Sequence, residues 1–335
     1  MAKQTEVALG CGLDIGTMNV VAARKAPSGV ETRRVRDAFL ELPVESKKML
    51  KLANVSYVER ADELLILGDA AMDTANIFGR EARRPLSAGL VSSSDVDAME
   101  ILGLLIKNVL GDPKVPNEHC YFSVPAAPVD KPGQDVIYHR GVLEKIVREC
   151  GYTPTAGNEA MAIVYAETAK EGFSGIGISF GSGMTNIALA VSTIEGLSFS
   201  VGRGGDWIDG GAAKSIGSTA SRICAIKEKG VDLNAPQGRE QEALTFYYKN
   251  LIEYSIDQIA LQFASVQGRF TLPKPVPIVV SGGTSKAGGF LELFKSVFDR
   301  KRKRFPIEVS EIRAATDPLN AVANGLLIQA MQESE

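Results

Sequence analysis

The chain has 335 residues, 45% apolar and 23% charged, with a formal net charge of -3, which suits two domains or one large bilobal unit and gives no global attraction to nucleic acid or anionic membrane. Its four cysteines, Cys11, Cys120, Cys150 and Cys224, form no C-x-x-C pair, and its two histidines, His119 and His139, are too few to suggest a zinc site, so the thiols read as reduced and structural. No run approaches the ~18 apolar residues that a spanning helix needs, and the opening MAKQTEVALG lacks signal-peptide architecture, so a cytoplasmic location is expected.

Residues 7–13 and 19–24 read as two strands joined by an Asp-Ile-Gly-Thr turn. A mixed charged and β-branched region, 31–66, precedes a helix over about 69–77. Asp95 is placed to cap a helix in DVDAMEILGLLIKNVLG, where Met99, Leu102, Leu105, Ile106 and Val109 recur on one face and Gly111 is a stop. HCYFSVPAAP reads as a buried strand ending at Pro125, YHRGVLEKIVRECG as a helix ending at Gly151, and NEAMAIVYAETAKEG, after a short link, as a helix stopped at Gly172. GIGISFGSGMTNIALAV, residues 175–191, then repeats the shape of the opening hairpin. A Gly-rich GRGGDWIDGG follows, with a helical region through Lys229, a link near Pro236, a long helix over about 240–267, the Pro-rich TLPKPVP, a strand over 278–283 and a last helix over about 318–331. Strand pairs and helices therefore occur as two similar halves, each opening on a polar hairpin turn, which predicts an internally duplicated α/β unit.

The turns carry the chemistry. Gly16, Thr17 and Asn19 offer backbone N–H groups and a small hydroxyl with no side chain in the way, as a phosphate cradle requires, and two such bends in facing lobes would clamp a polyphosphate. VVSGGTSKAGG adds a strand ending in Gly282 and Gly283 and leading into a helix, which permits close approach of a ligand to the backbone. Asp14, a lone carboxylate in an apolar run, is costly to bury unless paired or beside a cation. Its counterpart in the second hairpin is Ser179.

In LDIGTMN, FSVPAAP, NEAMAIVYAE, ISFGSGMTNIALA, GGDWIDGG, IVVSGGTSKAGGF and DPLNAVANGLL, taken in this order, the chain resembles the superfamily of actins, heat-shock chaperones and sugar kinases, and within it the bacterial actins of the MreB type. LGDAA and RRPLSAGLVSSSDVDAMEIL resemble the small outer subdomain of those proteins. The resemblance implies an actin-like ATPase fold of the α/β class: two lobes, each built on a duplicated ribonuclease-H-like unit, with a cleft between them. The first lobe would comprise 1–172 and 318–335, with an outer subdomain at about 32–95, and the second lobe 173–317. ATP or ADP with Mg2+ would occupy the cleft. Asp14 would stand by the metal, Gly16, Thr17, Met18 and Asn19 would line the β- and γ-phosphates, and Gly181, Ser182, Gly183 and Met184 would face them, with Gly204, Gly205 and Asp206 behind. Gly282, Gly283, Thr284 and Ser285 would meet the adenosine side, and Arg222 would lie against the base, with Ser221 where an acidic neighbour is usual. Glu159 would orient the attacking water; by residue type alone it is equally a helix-start acid favoured by the dipole.

Ser179 departs from the family, which generally has an aspartate there, and Asn186 stands where an aspartate is common. Losing this charge weakens the metal shell and implies slow hydrolysis with nucleotide binding retained. The function implied is a filament-forming cytoskeletal protein that self-associates, with an adaptor protein as a further partner and neither nucleic acid nor membrane attachment expected. The alternatives are a small-molecule, sugar-type kinase or a chaperone-like ATPase of the same fold. The basic run DRKRKRF, 299–305, and REARRPL, 80–86, read as solvated turns in preference to contacts for nucleic acid, acidic lipid or a neighbouring subunit. Trp207 reads as a core anchor or an exposed contact.

Overall fold

The computed structural model describes residues 10–92, 97–134, 136–266, 268 and 274–333. β1 (Cys11–Ile15), β2 (Asn19–Ala26) and β3 (Gly29–Arg36) form an antiparallel meander. A small unit follows: β4 (Phe39–Pro43), α1 (Lys47–Leu52), β5 (Val58–Arg60), β6 (Glu63–Leu67) and α2 (Asp69–Phe78), with its own sheet in the order β4-β6-β5 and its own core of Leu40, Leu42, Leu50, Leu64 and Ile66. The short hairpin of β7 (Leu86–Ser87) and β8 (Leu90–Val91) returns the chain to the first lobe, which continues through α3 (Ala98–Leu110), β9 (His119–Val124), α4 (Val136–Glu149), β10 (Thr153–Asn158) and α5 (Glu159–Glu167). The second half comprises β11 (Gly175–Phe180), β12 (Thr185–Val191), β13 (Ile194–Val201), α6 (Gly205–Ile216), α7 (Ala220–Lys229), α8 (Gly238–Ser265), β14 (Val276–Ser281), α9 (Phe290–Lys301), β15 (Val309–Ala314) and α10 (Ala321–Glu333).

The duplication is present strand for strand. One five-stranded sheet has the order β10-β9-β1-β2-β3 and the other β15-β14-β11-β12-β13. In each, the first strand pairs antiparallel with the second and parallel with the later strand on its other side. Parallel pairs need crossovers, which are supplied by α4 between β9 and β10 and by α9 between β14 and β15. Each sheet has its own apolar cluster, and a third cluster joins them through Ala162 and Ile163 of α5, Leu326 and Ala330 of α10, and Val279 of β14.

The symmetry reaches single glycines. A Cβ on Gly12 of β1 would lie 2.1 Å from the Ala323 carbonyl oxygen of α10, and one on Gly177 of β11 would lie 2.2 Å from that of Ala160 in α5. These glycines stand two residues before Asp14 and Ser179, so the helices lie almost on the strand backbones just beneath the two hairpin turns.

Several sequence expectations change at their edges. Residues 7–9 and the proposed Asp95 cap lie outside the described residues, as does part of TLPKPVP. The first turn is tighter than expected: Asp14 lies in β1, and Gly16 N–H donates to the Asn19 carbonyl at 3.0 Å. Beyond the mixed region 31–66, where the strands were not resolved, two more escaped the sequence. β10, TPTAGN, has one buried residue and reads as a linker, yet it is recruited by parallel pairing along β9. β13, IEGLSFSV, is exposed at its start and buried only in its last three residues. The Gly-rich GDWIDGG forms the start of α6. Trp207 is half-buried, edge-on to Tyr247 at 5.3 Å, with Arg203 5.0 Å above its ring, and so packs as an anchor.

Candidate functional site

The two hairpin tips face one another across a cavity of about 600 Å³. The second turn repeats the closure of the first: Gly181 N–H donates to the Met184 carbonyl at 3.0 Å, as Gly16 does to Asn19. Asp14, Gly16, Thr17, Met18 and Asn19 line one wall; Ser179, Gly181, Ser182, Gly183 and Met184 line the other; Gly282, Gly283 and Thr284 close a third side, with Glu159 and Asn186 on the cavity wall as well. The walls touch at the β7–β8 turn, where Ala88 and Gly89 both adopt positive φ (51° and 83°), as a tight two-residue hairpin requires. A Cβ on Gly183 would lie 2.2 Å from Gly89 N and 2.5 Å from Thr17 Oγ1, so only glycine lets the two lobes meet there.

The remaining predicted residues divide by position. Gly204, Gly205, Asp206, Arg222 and Ser285 do not line the cavity. Gly205 and Asp206 hold the second turn from behind: Gly205 N–H donates to Gly181 O at 3.0 Å, Asp206 N–H to Ser182 O at 2.9 Å, and Ser182 Oγ donates to Asp206 Oδ1 at 2.9 Å, while Gly204 packs on it so closely that a Cβ would lie 2.5 Å from Ser182 O. Ser285 donates back to Gly282 O at 2.7 Å. Arg222 is exposed on the first turn of α7 and pairs with Glu240 at 3.4 Å, while Ser221 donates to Glu81 at 2.9 Å. The α7 side chains that do reach the cavity are Lys227 and Glu228, one to two turns further along. Lys227 is held by Asp209 at 2.6 Å. Sequence reasoning missed this pair, and also Arg34 and Arg36 on β3 and Asp69 on α2; the adjacent charges in AIKEKG and RRVR were the only local signal.

Arg84 corrects the solvated-turn reading of 80–86. Its guanidinium forms a two-point pair with Asp206, at 3.2 and 3.0 Å, and reaches the Thr17 carbonyl at 3.5 Å. It thereby links the first phosphate-type turn to the residue that pins the second. In the basic run, Arg300 pairs with Glu253 and Lys301 with Asp257, so those two charges are answered within the chain.

Asp14 and Glu159 form an acid pair. Both open on the cavity but are otherwise enclosed by protein. Burial pushes Asp14 up to about 6, opposed by a hydrogen bond from Ser123, whose Oγ also accepts from Ile15 N–H at 2.7 Å. Burial, then the nearby Asp14 charge, pushes Glu159 up to about 8, opposed by Asn186 Nδ2, which donates to Glu159 Oε2 at 2.8 Å. Asn186 is 2% exposed and its Oδ1 has no partner. The Asp14 carboxyl and the unpartnered Asn186 Oδ1, both on residues lining the cavity, are hard oxygen donors of the kind that suit a magnesium ion completed by ligand phosphates. Among the described residues no group of three or more His, Cys, Asp or Glu side chains forms a self-sufficient metal site.

The same shifts set a pH dependence. A carboxyl whose folded-state pKa lies above its ordinary value binds protons more tightly when folded, so its stabilising contribution is present at low pH and lost as pH rises through the folded pKa. For Glu159 this window runs from 4.5 to about 8. Asp37, with no exposed surface, an unpartnered Oδ1 and a burial-raised pKa of about 8, acts in the same sense. The melting temperature of the ligand-free protein is expected to fall by several degrees between pH 5 and pH 8.5, and Glu159→Gln and Asp37→Asn should each flatten the profile in scanning calorimetry. An unchanged slope in both variants would refute this origin.

Similar structures share the whole architecture. A MamK double helical filament matches with TM-score 0.73 and 19% identity, over 96% of this chain and 98% of that one. MreB5 of Spiroplasma citri bound to ADP matches with TM-score 0.64 and 18% identity, over 97% and 96%. The ethanolamine utilization protein EutJ from Carboxydothermus hydrogenoformans matches with TM-score 0.56 and 16% identity, over 98% and 92%. At these identities the likeness establishes the fold, which is the actin-like ATPase fold. No curated protein sequence matches the chain. The model of one protein family covers residues 9–330, nearly the whole duplicated unit with its cavity, and by that match the chain belongs to the Volactin family.

Proposed function

We propose that the chain is an actin-like cytoskeletal protein that binds ATP or ADP with Mg2+ between its lobes and self-assembles into filaments, with slow hydrolysis. The observation that carries this reading is the pair of equivalent glycine turns, closed by the same hydrogen bond and facing each other across one cavity. A double helical filament and an ADP-bound protein among the structures of the same fold support it. The lobes we assign are 1–172 with 318–335, carrying an outer subdomain at about 32–95, and 173–317. No helix among the described residues is long and apolar enough to cross a membrane, and we assign the protein to the cytoplasm.

In this reading the turn amides of both hairpins hold the β- and γ-phosphates, and Asp14 with the phosphates holds magnesium, which when bound neutralises phosphate charge. Glu159 positions the water, fixed at one oxygen by Asn186. In the ligand-free protein burial, and then the Asp14 charge, push the pKa of Glu159 upward, while in the loaded site the missing charge at Ser179 slows hydrolysis. The test is sedimentation and negative-stain microscopy with and without ATP and Mg2+, paired with calorimetric titration of nucleotide. Filaments are expected above a critical concentration, and Asp14→Ala should weaken nucleotide binding by at least about tenfold. A wild type that binds nucleotide yet stays monomeric in every nucleotide state would favour the kinase or chaperone alternative.

A further inference from the structure

Arg36 ends β3 on the first lobe, and it lines the cavity. Nη1 and Nη2 donate to the two carboxylate oxygens of Glu228, on α7 of the second lobe, at 2.7 and 3.3 Å. Nε donates to Asp69 Oδ1 at 3.2 Å, at the start of α2 in the small outer unit, and Nη1 also lies 3.0 Å from Met18 Sδ in the first turn. One side chain, 19% exposed, thus joins the first sheet, the outer unit and the second lobe, and Asp69 and Glu228 both line the cavity. A two-point arginine–carboxylate pair is stronger and more directional than a single contact, and arginine keeps its charge across the working pH range. Glu228 is 41% exposed, so solvent ions can reach the pair and screen it.

We propose that the contacts of Arg36 with Glu228 and Asp69 form a clasp across the cleft, which must open for nucleotide to enter or leave and so sets the exchange rate. This rests on the nucleotide-binding reading above. The clasp ties the first lobe to α7 of the second, whereas Arg84 ties it to Asp206, which holds the second turn by its own hydrogen bonds. Breaking the contact with Glu228 is therefore expected to loosen closure while leaving the glycine turns, closed by their own backbone hydrogen bonds, assembled.

Two measurements on the full chain test this separately. The first is stopped-flow dissociation of a fluorescent ADP analogue chased with excess ADP. Arg36→Ala and Glu228→Gln should each release it about five- to tenfold faster, salt should speed release from the wild type more than from either variant, and the charge-exchanged double variant Arg36→Glu/Glu228→Arg should recover part of the loss. Arg33→Ala, which removes an equal charge from a nearby position of the same strand, should leave the rate unchanged. The second is the distance distribution between labels at Ile77 and Lys214 in nucleotide-free protein, which should lengthen or broaden in Arg36→Ala. Unchanged release in Arg36→Ala overturns the clasp, and so does faster release without a change in distance, which would mark a direct ligand contact. A wild type that binds no nucleotide would sink the functional reading instead, and the distance measurement would then decide the clasp alone.

Discussion

Ser179→Asp is expected to raise the rate of phosphate release, by as much as about 100-fold if the new carboxylate is well placed. Ser179 is 4% exposed, lies on the cavity wall, and pairs across the strands with Asn186 on one side and Ser281 on the other. It occupies the position that Asp14 holds in the first hairpin, two residues before the glycine that closes the turn. The second hairpin thus presents a neutral polar pair, Ser179 and Asn186, and the site retains one acid pair, Asp14 and Glu159, already raised to about 6 and about 8. A carboxylate at position 179, on the same cavity wall, would add charge for magnesium to neutralise. It would also add repulsion when no cation is present. Ser179→Asp should therefore melt lower than wild type in chelator, recover with Mg2+ and nucleotide, and hydrolyse faster. Glu159→Ala in the same background should remove the gain, because Glu159 would orient the water in both proteins. Phosphate-release assays and thermal melts with and without Mg2+ read both halves. A wild type that already hydrolyses quickly, with Ser179→Asp slower, would mean that another group supplies the metal contact.

Gly325→Ala is expected to be strongly destabilising. A Cβ at Gly325 on α10 would lie 1.8 Å from the Ala162 carbonyl oxygen of α5, with that residue's carbonyl carbon at 2.5 Å, so no side-chain movement relieves the clash and the helices must separate. These two helices carry the cluster between the sheets, so the displacement propagates to both lobes. The expected loss is about 3 kcal/mol. Gly12→Ala and Gly177→Ala should cost a similar amount for the same backbone reason. Gly141 in α4, where a Cβ would meet nothing within 4 Å, is the control: its alanine variant should gain about 0.5–1 kcal/mol from helix propensity. Chemical denaturation distinguishes these outcomes, and a neutral Gly325→Ala would show that the helix crossing tolerates expansion.

The sequence by itself determined the elements whose signal is local. The duplicated hairpins, the stripe of α3 from Leu102 to Val109, the long α8 and the stop at Gly111 each follow from periodicity, turn chemistry or capping within a few residues. The two glycine turns were legible for the same reason: Gly16 and Gly181 stand at the bends, where each closes its turn by a hydrogen bond three residues on. What only the tertiary structure decided lies in contacts between distant segments. GDWIDGG has the glycine content of a loop, yet it becomes helical where Gly205 and Asp206 donate to the second turn and Gly211 packs on Tyr247. β10 is a strand only because β9 offers it a parallel edge. Arg222 and Lys227 lie five residues apart on one helix, and neither periodicity nor residue type says which faces the cleft. Arg36 and Glu228 are separated by 192 positions, and Arg84 and Asp206 by 122. Their pairing depends on how one lobe lies against the other, because a charge on an exposed turn and a charge bridging a cleft have the same local sequence and differ only in what the folded chain brings within hydrogen-bonding distance.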